Sequence, residues 1–235
     1  MKINYFLPCA AAAAMLFLMP GCGTTSDYVD ATDTQAAVKN KNRMSSSDWV
    51  VITKEAGNQL LSSQLFLEYL QAYAIDAENE MKKAEAAGEK ISTREKLNIR
   101  KPLLMLSAIE NKTDEHIETQ LLTERLRELL FNSGKVRFTT YAAGRGQAID
   151  RATADARELR HDKNMNKRTV MKRGKVRAYD LSLSGTIIKQ RARDGRNREI
   201  SYTFSLSLTD NVTGEGVWTY TKEIKRQHRQ SGIGF

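Results

Sequence analysis

The strongest constraint on the fold of this chain is the two-residue alternation in its last third. Tyr179, Leu181, Leu183 and Ile187 fall on one side of an extended backbone, with Asp180, Ser182, Ser184 and Thr186 on the other. The pattern returns in Ile200, Tyr202, Phe204, Leu206 and Leu208 against Ser201, Thr203, Ser205, Ser207 and Thr209. A helix would scatter these apolar residues around its circumference, whereas a strand gathers them on one face. After the turn residues Asn211-Val212-Thr213-Gly214, Val217-Trp218-Thr219-Tyr220 and Ile224 supply a third strand. Three consecutive antiparallel strands are therefore expected, and their apolar face has to be covered by the rest of the chain.

The cover is legible upstream. Leu103-Leu104-Met105-Leu106-Ser107-Ala108-Ile109 is a nearly continuous apolar run that suits a strand buried on both faces. Asn111-Lys112-Thr113-Asp114 offers turn and helix-cap chemistry, and Ile117, Leu121, Leu122, Leu126, Leu129 and Leu130 form a helical stripe that Gly134 can end. Val136, Phe138 and Thr140 fit the next strand and complete a β-α-β unit, while Ile149, Ala152, Ala156 and Leu159 mark a further helix face. Nearer the N-terminus, Ser47 or Asp48 can cap one long amphipathic helix running from Trp49 through Ile52, Ala56 and Leu60 to Leu67, Leu70 and Tyr73. Residues 76–100, rich in Glu, Lys and Ala, read as a solvated helical extension or linker. The fold class is α/β: a mixed sheet flanked by helices, with a β-α-β start and a C-terminal antiparallel three-stranded meander.

The first residues differ in kind. Lys2, an apolar run from Phe6 to Met19 and then Pro20-Gly21-Cys22 read as a signal peptide, the run being too short and wrongly flanked for a stable spanning helix. Met19-Pro20-Gly21-Cys22 resembles a lipobox, in which the cysteine thiol is acylated before cleavage. Two acyl chains and an amino-terminal one anchor firmly, since each buried methylene contributes about 0.8 kcal/mol. By resemblance to lipoprotein sorting signals, Gly23 in place of Asp favours the outer membrane. With Cys9 removed and Cys22 acylated, no thiol remains for a disulfide, a metal site or a nucleophile. Residues 23–47 are polar and nearly free of large aliphatics, as a tether is, and fully extended at about 3.3 Å per residue they reach roughly 80 Å. The expected division is a signal peptide over 1–21, a lipidated cysteine and tether over 22–47, an amphipathic helix with its polar extension over 48–100, and an α/β domain over 101–235.

Catalytic signatures are missing from the sequence. It contains no P-loop, HExxH, GxSxG, EF-hand or CxxC pattern, and His116, His161 and His228 lie far apart beside ordinary surface residues. Gly144-Arg145-Gly146 is too short for a nucleotide cradle. Neither an enzyme nor a cofactor is expected. Asn111-Lys112-Thr113 and Asn211-Val212-Thr213 match a glycosylation pattern, but both fall where Asn and Thr are favoured by turn chemistry. Positive charge gathers between Arg151 and Arg177, where ten Lys and Arg residues face only Asp155, Glu158 and Asp162. Such a cluster suits an acidic protein, an anionic lipid or a nucleic acid, and export argues against the last.

A family resemblance sharpens the reading. Ile109-Glu110-Asn111-Lys112-Thr113-Asp114-Glu115-His116-Ile117, Leu122-Thr123-Glu124-Arg125-Leu126-Arg127 and Ser133-Gly134-Lys135-Val136-Arg137-Phe138 resemble the penicillin-binding-protein activator LpoB family. The likeness resumes at Tyr179–Gly185 and Tyr202–Leu208, then at Thr213–Trp218 and Lys222–Lys225. It implies an outer-membrane lipoprotein with a fold like the N-terminal domain of TolB, which binds a non-catalytic module of a bifunctional class A penicillin-binding protein and activates it allosterically. On this reading Cys22 is the lipid anchor, Asn111, Lys112, Thr113, Lys172 and Arg173 are partner contacts, no nucleic acid is bound, and the chain is a monomer. The alternative is a structural or assembly accessory of an outer-membrane secretion or envelope complex.

Overall fold

The computed structural model describes residues 43–139, 158–170 and 177–229. In chain order the elements are α1 (Ser46–Ser62), α2 (Gln64–Ala86), α3 (Thr93–Ile99), β1 (Leu103–Lys112), α4 (Thr119–Asn132), β2 (Arg137–Phe138), β3 (Leu181–Asp194), β4 (Asn197–Asp210) and β5 (Gly216–Arg229), with one 3-10 turn at Leu159–His161. The strands form one mixed sheet in the order β2-β1-β3-β4-β5. β1 is parallel to both β2 and β3, and β3, β4 and β5 form the antiparallel meander. This is the expected α/β class, with β1-α4-β2 at one edge.

One face of the sheet carries the core. Leu104, Leu106 and Ile109 of β1, Leu181, Leu183 and Ile187 of β3, Tyr202, Phe204, Leu206 and Leu208 of β4, and Trp218 and Tyr220 of β5 all point to it. Onto them pack Trp49, Ile52, Ala56 and Leu60 of α1 and Leu122, Leu126 and Leu130 of α4. Each such side chain removed from water contributes about 1.5–3 kcal/mol, so this layer dominates stability. Trp49 meets Tyr202 edge-on at 5.8 Å, and Phe204 meets Tyr220 at 6.3 Å, so the rings link α1 to β4 and β4 to β5. The four aromatics Tyr202, Phe204, Trp218 and Tyr220 are core, as their alternation indicates. The opposite face presents Ser184, Thr186, Ser205, Ser207 and Thr219.

Several boundaries differ from the sequence reading. The single long helix is broken at Ser63, which is extended (φ −65°, ψ 127°) and donates its N–H to Leu60 O. Two adjacent serines favour such a break, since a serine hydroxyl competes for backbone acceptors, as Ser62 does at Gln59 O. The break re-aims α2, so that both Leu60 and Phe66 enter the core. The cap of α1 is Ser45, in a capping box with Asp48. Asp48 also receives Arg226 Nη2 at 2.7 Å, tying the start of α1 to β5. α4 begins at Thr119 with no side-chain cap, the Asn111–Asp114 turn being occupied elsewhere, and Gly134 at φ +66° ends it as expected. The helix expected over 149–159 lies outside the described residues except for Glu158 and Leu159, the latter in the 3-10 turn, and Thr140 lies outside them too.

The strands of the meander also outrun their apolar pattern. Pairing continues from Lys189↔Tyr202 to Asp194↔Asn197, where Gly195 at φ +55° closes a two-residue turn. Backbone ladders need no apolar side chains, so charged residues extend the hairpin past the core. At the other end Asp180 accepts Leu103 N–H at 2.6 Å and Tyr73 Oη–H at 3.2 Å, and Arg177, itself paired with Asp180, reaches Asn98 O and Lys101 O. Arg177, the last residue of the basic stretch, is thus a structural clamp.

Gly185 sits where β3 is most tightly enclosed: a Cβ there would lie 2.6 Å from Leu206 Cδ2 and 3.0 Å from Ser205 O. Gly185→Ala is expected to destabilise the chain by about 1–3 kcal/mol, measured as a lower denaturant midpoint with unchanged m-value.

Candidate functional site

A single extra residue in β1 creates the site. Leu106 pairs with Leu183 but Ile109 pairs with Gly185, so β1 advances three positions while β3 advances two. This bulge re-phases the strand. Glu110 and Lys112, which strict alternation from Leu106 would turn toward the core, face outward and pair with each other at 3.2 Å. Asn111 comes level with Ile187 on the helix-covered side.

Beyond Asn111 the chain turns sharply. Asn111 Oδ1 accepts Thr113 N–H at 3.0 Å and Thr113 Oγ1–H at 2.7 Å, and its Nδ2 donates to Glu115 O at 2.7 Å. Thr113 Oγ1 accepts Glu115 N–H at 3.1 Å. This is the turn chemistry read from the sequence, and its effect is to aim Asp114 and Glu115 back over the end of the sheet. There Lys189 occupies the inward position after Ile187, directly opposite Tyr202.

The result is a charged seam closing one end of the core. Tyr202 Oη lies 2.9 Å from each Glu115 carboxylate oxygen. Lys189 Nζ binds Glu115, lies 3.2 Å from Asp114 Oδ1, and stands 5.5 Å from the Tyr202 ring centroid. Arg191 binds Asp114, and Arg43 approaches Glu115 at 3.9 Å. The side chains of Lys189 and Glu115 are 4% and 9% exposed, against 56% for Asp114. A buried ion pair persists only where its remaining lone pairs are satisfied, and Tyr202 and the second carboxylate meet that need. The hydrogen bond from Lys189, with help from Arg191, holds the Asp114 carboxyl below the usual carboxylate range. Burial, then the hydrogen bond and charge of Glu115, push the Tyr202 phenol well above the ordinary tyrosine value.

Asn111 and Thr113, expected as partner contacts, build the turn, and Lys112 stands exposed at its tip. Cys22, Lys172 and Arg173 lie outside the described residues. The residues that sequence reasoning missed are Asp114, Glu115, Lys189, Arg191 and the hydroxyl of Tyr202. The available signal was Lys189, a cation placed where alternation demands an inward residue. Among the described residues no three of His, Cys, Asp or Glu converge as metal ligands would, and no helix is long and apolar enough to cross a membrane.

The fold defines a protein of α/β class, a mixed sheet whose core is closed at one end by a charged seam. The model of a family described as peptidoglycan-synthase activator LpoB matches residues 69–224, well over half the chain, and the chain belongs to that family. The resemblance read from the sequence is thereby confirmed. Similar solved structures include the LpoB C-terminal domain from Escherichia coli, at 13% identity over 52% of this chain and 82% of that one (TM-score 0.29). Escherichia coli LpoB solved by NMR is 12% identical over 97% of this chain and 88% of that one (TM-score 0.32). The lipoprotein GNA1162 from Neisseria meningitidis is 10% identical over 56% and 88% (TM-score 0.30). No curated protein matches the chain.

Removing Lys189 strands a buried carboxylate, so Lys189→Met is expected to cost about 3–5 kcal/mol, and adding Glu115→Gln to cost much less than the sum of the two singles, as a denaturation double-mutant cycle would measure. The Tyr202 phenol remains protonated in the folded chain at a pH where the unfolded chain ionises. Its contribution is therefore complete below about pH 10 and falls above it, by about 1.4 kcal/mol per pH unit for one such group. Alkaline denaturation series should show a shallower decline for Tyr202→Phe than for the parent.

Proposed function

We propose that this family member is an outer-membrane lipoprotein, anchored through Cys22, which binds a class A penicillin-binding protein as a monomer and stimulates it without chemistry of its own. The observation that carries this reading is the family match over residues 69–224. The proposal keeps a signal peptide over 1–21, a lipidated cysteine with its tether over 22–47, helical residues over 48–100 and the α/β domain over 101–235. Trp49, Ile52, Ala56 and Leu60 nevertheless belong to the same core as β1 and β3–β5, so α1 acts as part of the folded body.

The proposed partner contacts are the turn Asn111-Lys112-Thr113, with Lys172 and Arg173. The turn supports such a role because it is stiffened by its own hydrogen bonds, so Lys112 is presented at low entropic cost. A pull-down with the chain from Gly23 to Phe235 against detergent-solubilised envelope, followed by glycan polymerisation by the captured material, tests the reading. Capture of a class A penicillin-binding protein that polymerises faster with the domain present supports it. Capture of outer-membrane proteins alone transfers the function to an assembly accessory.

Charge reversal at an exposed rim acts mainly on association rate. Lys112→Glu, and Lys172→Glu with Arg173→Glu, are each expected to slow association by about two- to tenfold and to flatten its salt dependence, as surface plasmon resonance would record.

A further inference from the structure

The outer part of the β3–β4 hairpin has its charges sorted by face. Lys189, Arg191 and Arg193 of β3 and Arg198 of β4 lie on the side that nearer the core carries Ile187 and Tyr202, while Asp194 and Glu199 lie on the other side. Arg193 and Arg198 are directly opposite in the ladder. Arg193 Nε donates only to Gly195 O, and Arg193, Arg196 and Arg198 have no carboxylate partner among the described residues. Like charges directly opposed destabilise a hairpin, so this end is one that an anion would relieve. Arg191, Arg193 and Arg198 line a cleft of about 570 Å³ that Lys189, Glu115 and the edge residue Glu199 also reach, so cations outnumber carboxylates in it, and its rim includes Arg43, the first described residue. The chain therefore leaves the domain toward its N-terminus at the cationic end. From Arg43 to Cys22 it can reach no more than about 70 Å even fully extended.

We propose that this cationic end, Arg191, Arg193 and Arg198 with Arg43 along the cleft and Arg196 in the hairpin turn, docks on an anionic bilayer surface beside the anchor. The inference rests on the anchored reading above for its geometry. An acidic protein would satisfy the same charges, but the exit of the chain at this end places a bilayer nearest to it. The docked state covers the cleft next to the Glu115–Lys189–Tyr202 seam, so a protein partner using that end competes with the membrane for it.

The test uses the chain from Gly23 to Phe235, which lacks Cys22 and retains every described element, in flotation with vesicles of phosphatidylcholine alone or with one quarter phosphatidylglycerol. Each arginine near an anionic surface adds about 1 kcal/mol, roughly fivefold. Binding at least tenfold tighter to the anionic vesicles and weakened by salt is expected, and Arg193→Glu/Arg196→Glu/Arg198→Glu should reduce it about 100-fold. These positions are exposed beyond the core, and an unchanged melting curve establishes that the variant is folded. Equal binding by parent and variant, or no preference for the anionic vesicles, overturns the proposal, as does retention by immobilised polyglutamate without binding to vesicles. Acylation of Cys22 is read separately, by incorporation of labelled palmitate into the full chain, so failure of the anchor and failure of docking give different results.

Discussion

The sheet has one strongly apolar face, and the other elements are arranged around the need to keep it from water. Tyr202, Phe204, Leu206 and Leu208 would expose a broad hydrocarbon surface on an isolated meander, and three strands alone do not bury it. α4 covers β1, and α1 reaches β4 through Trp49 and β5 through Lys222–Glu55 and Arg226–Asp48. The two helices also pack on each other. Loss of either would open the same layer, so α1 is as much a part of the domain as any strand.

At the end where the helices stop, burial runs out while the ladder continues. Tyr202 has an apolar ring beneath α1 and a hydroxyl that needs a partner, and Lys189 opposite it has an apolar stem and an ammonium. Glu115 satisfies both. It can do so only because the extra residue between Leu106 and Ile109 turns Asn111, and the loop that follows, to the core side. The bulge, the turn and the seam are consequently one device: β-pairing geometry converts a stretch of charged residues into a sealed end of the core. Tyr220 shows the contrast. Among the described residues its buried hydroxyl forms no well-placed hydrogen bond, and burial first, then the charge and approach of Glu55, push its phenol up to about 12. That cost is tolerated where the ring stacks on Trp218 and faces Phe204.

Legibility in the sequence followed the range of the forces involved. Elements set by apolar periodicity were readable: the meander, the apolar strand now seen as β1, the α4 stripe, and the aromatics as core. Features set by local competition were not. The helix break at Ser63 turns on a serine pair whose neighbours still follow helical spacing. The cap at Ser45 was displaced from Ser47 and Asp48 because three serines in succession offer the same chemistry. The site was half legible. Asn111 and Thr113 announced a turn, but the carboxylates it delivers to Lys189 depend on a pairing register between positions 76 or 77 residues apart in sequence, and no local pattern encodes the bulge.

The charged extension of β3 and β4 follows from the same separation of forces. Within the core each inward position is fixed by volume, and Gly185 leaves no room even for a methyl group. Past Lys189 the backbone hydrogen bonds persist, but side chains are released from packing, so their identity can be set by what they meet outside. Strand alternation then sorts them without further help, with Arg191, Arg193 and Arg198 to one face and Asp194 and Glu199 to the other. A surface made this way is rigid, because it is held by the ladder, and it costs the core nothing. The opposed Arg193–Arg198 pair is a small, localised penalty carried by the hairpin tip, beyond the layer that keeps the domain folded.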